Sequence, residues 1–163
     1  MNDDDEQILI FELEDEHSAT LGAFGVDVSE VGQVIEPSEP REVPRAPAVV
    51  EGIMSYGGRI VTVVDPAPIL GFPAQGGMLR HVIIVRDARR AIGNLGLKVS
   101  RIRQIVKKTA VAAADIAFGA HVKRVVQFDS RLVHVIDVAA FMDGLAREFG
   151  SVVDAAPAEG VKR

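Results

Sequence analysis

Few side chains in this sequence have the type and spacing to do chemistry. There is no cysteine, which removes thiolate nucleophiles, thiolate metal sites and disulfides together, and fits a reducing compartment. The four histidines, His17, His81, His121 and His134, share no metal-ligand spacing, and there is neither a Gly-x-x-x-x-Gly-Lys-Ser/Thr phosphate loop nor a Gly-x-Ser-x-Gly nucleophile turn. Leu21 to Gly25 contains Gly-x-x-Gly, but within a strand-like run rather than between a strand and a helix, so it does not read as a phosphate cradle. His134 alternates with Leu132 and Ile136, which predicts a half-buried, hydrogen-bonded ring rather than a general base. Asp65 and Asp137 each close a β-branched run and open a segment of helical character. Both read as helix N-caps, whose carboxylates accept backbone N–H bonds. Lys98, Arg101, Arg103, Lys107 and Lys108 form a basic group without interleaved aromatics. That is a weak nucleic-acid signal, and 23 acidic against 18 basic residues, a formal charge of −5, lower it further, so nucleic-acid binding is not expected. The sequence thus predicts no catalytic residue, no metal and no cofactor.

What these residues must be mounted on is mostly β-structure. The chain has 163 residues, of which 24 are valine and 13 isoleucine, gathered in short runs bounded by Gly, Pro, Asp and Ser. Strands are predicted at Ile8–Leu13, Thr20–Val28, Val31–Ile35, Arg59–Val64, His81–Arg86, Ala91–Val99, Ile102–Val106, Val122–Phe128 and Arg131–Ile136. Asp129-Ser130 is predicted as a two-residue hairpin turn, and one helix is predicted from Asp137 to Phe149 with Gly150 as its stop. The acidic opening, residues 1–6, and the Ala-rich stretch 151–163 read as disordered tails flanking a domain at 7–150, and the opening lacks the features of a secretory signal. No apolar run approaches the roughly 20 residues that span a bilayer, so direct membrane insertion is not expected.

The chain also repeats itself. At an offset of 71, Leu21–Ile35 aligns with Ile92–Val106, with Gly22, Gly25, Val28, Ser29 and Gln33 recurring identically. At an offset of 72, Arg59–Leu70 aligns with Arg131–Met142, and Asp65 meets Asp137. Two copies are too few for a solenoid, so a pseudo-twofold pair of small β-barrels sharing one core is expected. Asp27 and Glu30 of the first copy stand where the second has Lys98 and Arg101, which raises the expectation of oppositely charged equivalent surfaces and a head-to-tail contact between similar molecules. The bland reading, scattered solvated charge, stands beside it.

Val28–Ile35, Pro44–Met54, Gly58–Asp65, Gly96–Val99 and Asp129–Asp137 resemble the CheW-like domain of bacterial chemotaxis systems, and the likeness runs through Ile8 to Leu145. The resemblance implies an all-β fold of two intertwined five-stranded SH3-like barrels with a C-terminal helix. It also implies a non-enzymatic cytoplasmic adaptor, recruited to receptor arrays, between the hairpin tip of methyl-accepting chemoreceptors and the regulatory domain of a CheA-type histidine kinase, with other CheW-like proteins as possible further partners. On this basis Val31, Gln33, Val34, Ile53, Met54, Gly57, Gly58, Ile102 and Ile105 are expected at or near the receptor and kinase interfaces, ordinary core being the competing reading for the apolar ones. Three stretches depart from the family pattern. Ser55-Tyr56-Gly57-Gly58 replaces Asn-Leu-Arg-Gly, Gln33 replaces a glutamate, and Ser100 replaces an aspartate. Neutralising an acidic and a basic interface position together points to altered kinase docking. A small-ligand-binding or enzymatic β-barrel is the alternative, but the sequence offers no convergent polar set for it.

Overall fold

A computed structural model describes residues 6–36, 40–77, 80–86, 95–114 and 119–149. Within them lie eleven strands: β1 Gln7–Glu14, β2 Thr20–Asp27, β3 Val31–Ile35, β4 Val50–Tyr56, β5 Arg59–Val64, β6 His81–Val85, β7 Leu95–Val99, β8 Arg101–Lys107, β9 Ala112–Ala113, β10 Val122–Phe128 and β11 Arg131–Ile136. Two helices follow symmetry-related strands, α1 at Pro66–Ile69 after β5 and α2 at Val138–Phe149 after β11. Sequence reasoning finds nine of the strands. It misses β4, whose Glu51, Gly52 and Ser55 break the β-branched run, and the two-residue β9. Residues 1–5, Gly150, the stretch 151–163 and the start of the Ala91–Val99 strand lie outside the described residues, whereas Glu6, expected in the tail, is held against Lys108, its carbonyl accepting from the Lys108 N–H at 2.8 Å and its carboxylate 2.7 Å from the ammonium.

The strands form two sheets, ordered β8-β1-β2-β11-β10-β9 and β3-β6-β7-β5-β4. Exchanging the two copies of the repeat turns one order into the other, apart from β9, so each SH3-like barrel holds strands from both halves of the chain. The expected intertwining is present. It is fixed by register: β11 runs parallel to β2 with His134 opposite Phe24, and β5 runs parallel to β7 with Thr62 opposite Leu95.

Strand alternation explains the apolar content. Ile8 and Ile10 point into the first barrel with Val106, Val126, Val133 and Val135. Leu9, Phe11 and Leu13 of the same strand face a central cluster with Ile83, Val85, Leu97, Val99 and Phe141. The second barrel has its own interior of Met54, Val61, Val63, Val82 and Ile84. β1 is therefore buried on both faces, which is why it reads as a continuous apolar run.

The repeated strand glycines have a steric cause. A Cβ on Gly25 would lie 2.7 Å from Ile8 Cγ2, and one on Gly96 would lie 2.5 Å from Val82 Cγ1. Both predicted caps form. Asp65 accepts from Ala67 N at 3.0 Å, and Asp137 from Ala140 N at 3.0 Å. The Asp65 N–H donates to the Val49 carbonyl and that of Asp137 to the His121 carbonyl, which makes 49 and 121 equivalent positions.

Candidate functional site

The nine expected interface residues fall into three structural groups. Val31, Gln33 and Val34 lie on β3, and Ile102 and Ile105 on β8; these are edge strands of the two sheets at equivalent places. Val31, Val34 and Ile102 are partly buried and pack against the central cluster, so they reach the surface while anchored to both barrels' shared core. Gln33 and Ile105 are exposed. Ile53 is half-buried on β4, where it pairs with Thr62 of β5. Met54, beside it, is only 8 % exposed and belongs to the interior of the second barrel; it resolves as core.

The third group is the β4–β5 turn. Gly57 and Gly58 have φ of +58° and +77°, the left-handed pair of a two-residue hairpin turn. The equivalent β10–β11 turn carries Asp129 and Ser130 at φ +51° and +64°, as the sequence predicts. The same backbone thus holds side chains in one copy and none in the other. A Cβ at Gly57 would meet nothing within 4 Å.

Sequence reasoning overlooks the most exposed apolar residues beside these turns. Ile60 is 62 % and Leu132 41 % exposed, and they are equivalent under the repeat; Tyr56 is also exposed. The signal was available, because alternation with the buried Val61, Val63, Val133 and Val135 turns Ile60 and Leu132 outward.

The expected free charge opposition is not found, because the charges are spent internally. Asp27 is ion-paired to Lys123 and, at 2.7 Å, to Arg124; Glu30 lies 2.9 Å from Lys123. Lys98 is buried, with its ammonium 2.5 Å from Glu51. Glu12, only 4 % exposed, gathers Arg131 at 2.5 Å, Arg103 at 3.4 Å and Arg101 at 3.9 Å. Burial pushes the Asp27 carboxyl up, but hydrogen bonds and charge from Lys123 and Arg124 outweigh it and hold the group below the ordinary aspartate range. Lys123 shows the converse: burial lowers it, and Asp27 and Glu30 together carry it above the usual lysine value.

Ser100 is committed to structure. Its hydroxyl accepts from the Glu14 N–H at 2.9 Å and donates to Gln75 Oε1 at 2.6 Å, while Gln75 Nε2 donates to Asp65 Oδ1 at 2.8 Å and to the Lys98 carbonyl at 2.9 Å. Among the described residues no group of three His, Asp or Glu side chains could hold a metal ion, and no helix is long and apolar enough to cross a membrane.

Two intertwined barrels thus leave large apolar side chains exposed on the β8 edge strand, at Ile105, and beside the hairpins, at Tyr56, Ile60 and Leu132. The CheW-like domain model matches residues 7–146, and the chain belongs to that family of chemotaxis scaffold proteins. It is 27 % identical over 145 residues to the chemotaxis protein CheW of Thermotoga maritima, covering 88 % of this chain and 92 % of that one. It is 26 % identical over 129 residues to CheW of Rhizobium meliloti, covering 77 % and 83 %. The crystal structure of the scaffolding protein TtCheW from Thermoanaerobacter tengcongensis superposes with a TM-score of 0.65 at 20 % identity, over 81 % of this chain and 88 % of that one, which supports the fold.

Proposed function

We propose that this protein is a non-enzymatic cytoplasmic adaptor that links the hairpin tip of methyl-accepting chemoreceptors to the regulatory domain of a CheA-type histidine kinase within receptor arrays. Beyond family membership, one observation carries this reading: Ile60 and Leu132 stand exposed at equivalent hairpins of the two barrels. Each barrel can offer the same kind of apolar contact to a barrel of like shape, so the adaptor presents two docking ends and can bridge partners. Val31, Val34 and Ile102, on edge strands bordering the shared core, supply a second, separate surface suited to a receptor helix pair. Several weak contacts repeated through an array would set assembly by avidity.

A second reading is favoured by the β4–β5 turn and Gln33, both exposed and uncharged where the family pattern carries arginine and glutamate. It is a divergent paralogue that holds receptors but docks the kinase weakly. Titration of the protein with a kinase regulatory domain and, separately, a receptor-tip fragment from the same source tests both. Micromolar binding to both supports the adaptor, with Ile60→Asp and Leu132→Asp each weakening the kinase arm at least tenfold and leaving the receptor arm intact. Binding to receptor alone, with kinase affinity appearing in Gly57→Arg/Gln33→Glu, establishes the uncoupled variant. Binding to neither overturns the proposal.

A further inference from the structure

A cavity of about 200 Å³ opens where β2 and β11 of the first barrel meet the chain leaving α1 and the turn before β10. Phe24, Leu70, Phe72 and Val122 give it an apolar wall, and His121 and His134 are the titratable residues of its lining among the described residues. Phe72 stands edge-on to Phe24 with ring centroids 5.5 Å apart, and the His134 ring is tilted against Phe24 at 5.9 Å. These contacts preform an aromatic box of the size that takes a single ring.

The histidines are not required by the architecture. The repeat places Thr62 where the first barrel has His134, and Val49 where it has His121. The register confirms the pairing, with Thr62 opposite Leu95 as His134 is opposite Phe24. The second barrel forms around a hydroxyl and an isopropyl group at these places. The first keeps two imidazoles there, and each has a buried ring nitrogen with no hydrogen-bond partner among the described residues, His121 Nε2 and His134 Nδ1. His121 Nε2 is turned against Gly144 of α2, where an added Cβ would sit 2.5 Å away. The His134 ring instead lines the cavity and stands against Phe24. The expectation that His134 is hydrogen-bonded is thereby corrected.

We propose that this cavity is a binding site for a small aromatic molecule bearing one hydroxyl or N–H group, with the ring packed against the wall formed by Phe24 and Phe72 and the polar group hydrogen-bonded to His134. An occupant would touch the first barrel and the segment following β5 of the second, and so tie the barrels together. The proposal is independent of receptor or kinase docking.

Phenol and toluene, which share a ring and differ in the hydroxyl, serve as probes in a two-dimensional NMR titration of the full chain at neutral pH. Phenol is expected to give saturable shifts confined to the cavity lining and to bind at least fivefold more tightly than toluene. His134→Thr, the residue the other barrel already accommodates, is expected to bring the two probes within twofold while its melting curve shows a folded protein. His17→Thr, on an exposed loop, controls for nonspecific loss and is expected to keep the wild-type ratio. No saturable binding of phenol, equal binding of the two probes by the wild type, or an unchanged ratio in His134→Thr overturns the proposal.

Discussion

At the scale of single residues, charge in this molecule serves cohesion. Asp27 illustrates it: its carboxylate is held below its ordinary range, so the folded state is favoured by its ionisation above the unfolded pKa of about 3.9, and that contribution is lost as the pH falls through the lower folded value. Lys123 is raised, so its contribution is complete below about 10.4 and is lost as the pH rises through the higher folded value. Lys123→Met should therefore flatten both the acid and the alkaline limbs of a stability curve followed by urea denaturation at several pH values. Gly57 is a contrasting case, because its constraint is backbone conformation rather than contact. Gly57→Arg places a side chain at φ +58° and should cost about 1 kcal/mol by urea denaturation, a strain that Asp129 and Ser130 already bear in the other copy. A much larger loss would show that the added side chain meets more than open solvent.

At the scale of elements, the two barrels are built alike and locked with opposite polarity. Asp27 at the end of β2 pairs with Lys123 of β10, while at the equivalent places Lys98 of β7 pairs with Glu51 of β4. If β10 took the place of β4, Lys123 would face Lys98, and Glu51 in exchange would face Asp27. The reversal thus disfavours the strand exchange to which a duplicated sequence is prone. Lys98→Glu alone sets two carboxylates together in a nearly buried site and should cost about 3 kcal/mol or more, and adding Glu51→Lys should restore most of it. Urea denaturation of the single and double variants measures the coupling. The glycines of β2 and β7 make a second element-scale prediction. Gly25→Ala should cost about 1–3 kcal/mol, since its Cβ meets Ile8 Cγ2 at 2.7 Å and Val133 Cγ1 at 3.2 Å, both inside a packed barrel. Thermal denaturation checks it.

At the scale of the whole molecule, intertwining makes the two halves of the chain interdependent. Neither sheet is complete without both, because β1 and β2 need β8, β11 and β10, and β6 and β7 need β3, β5 and β4. Fragments 1–77 and 78–163 should each be unfolded alone by circular dichroism and should regain β-structure when mixed. Folding of one fragment by itself would contradict the interdependence. The same topology places most pairings between distant parts of the chain, which predicts slow folding relative to helical domains of this length. α2 closes the central cluster with Phe141, Met142 and Leu145, so Phe141→Ala should cost about 3–5 kcal/mol by the same denaturation assay.

Most of the architecture is legible in the chain because duplication writes it twice. Valine-rich runs, paired glycines, the Asp65 and Asp137 caps and the Asp129-Ser130 turn each follow from local sterics and hydrogen bonding. The repeat then dictates that two similar units face one another, and the CheW-like motifs give the family. What local patterns do not carry is partnership across the fold. Met54 and Ile53 are neighbours of similar type, and only the closure of the second barrel decides that one is core and the other reaches the surface. Lys98 and Asp27 read as exposed opposites until β4 and β10 bring Glu51 and Lys123 against them. His121 and His134 lie 13 positions apart with no motif between them, and they share a cavity because β11 docks parallel to β2 while the turn before β10 folds back to it. Sequence fixes periodicity and conformational preference, which are short-range. Burial and charge pairing depend on which distant strands pack together, and so belong to the tertiary structure.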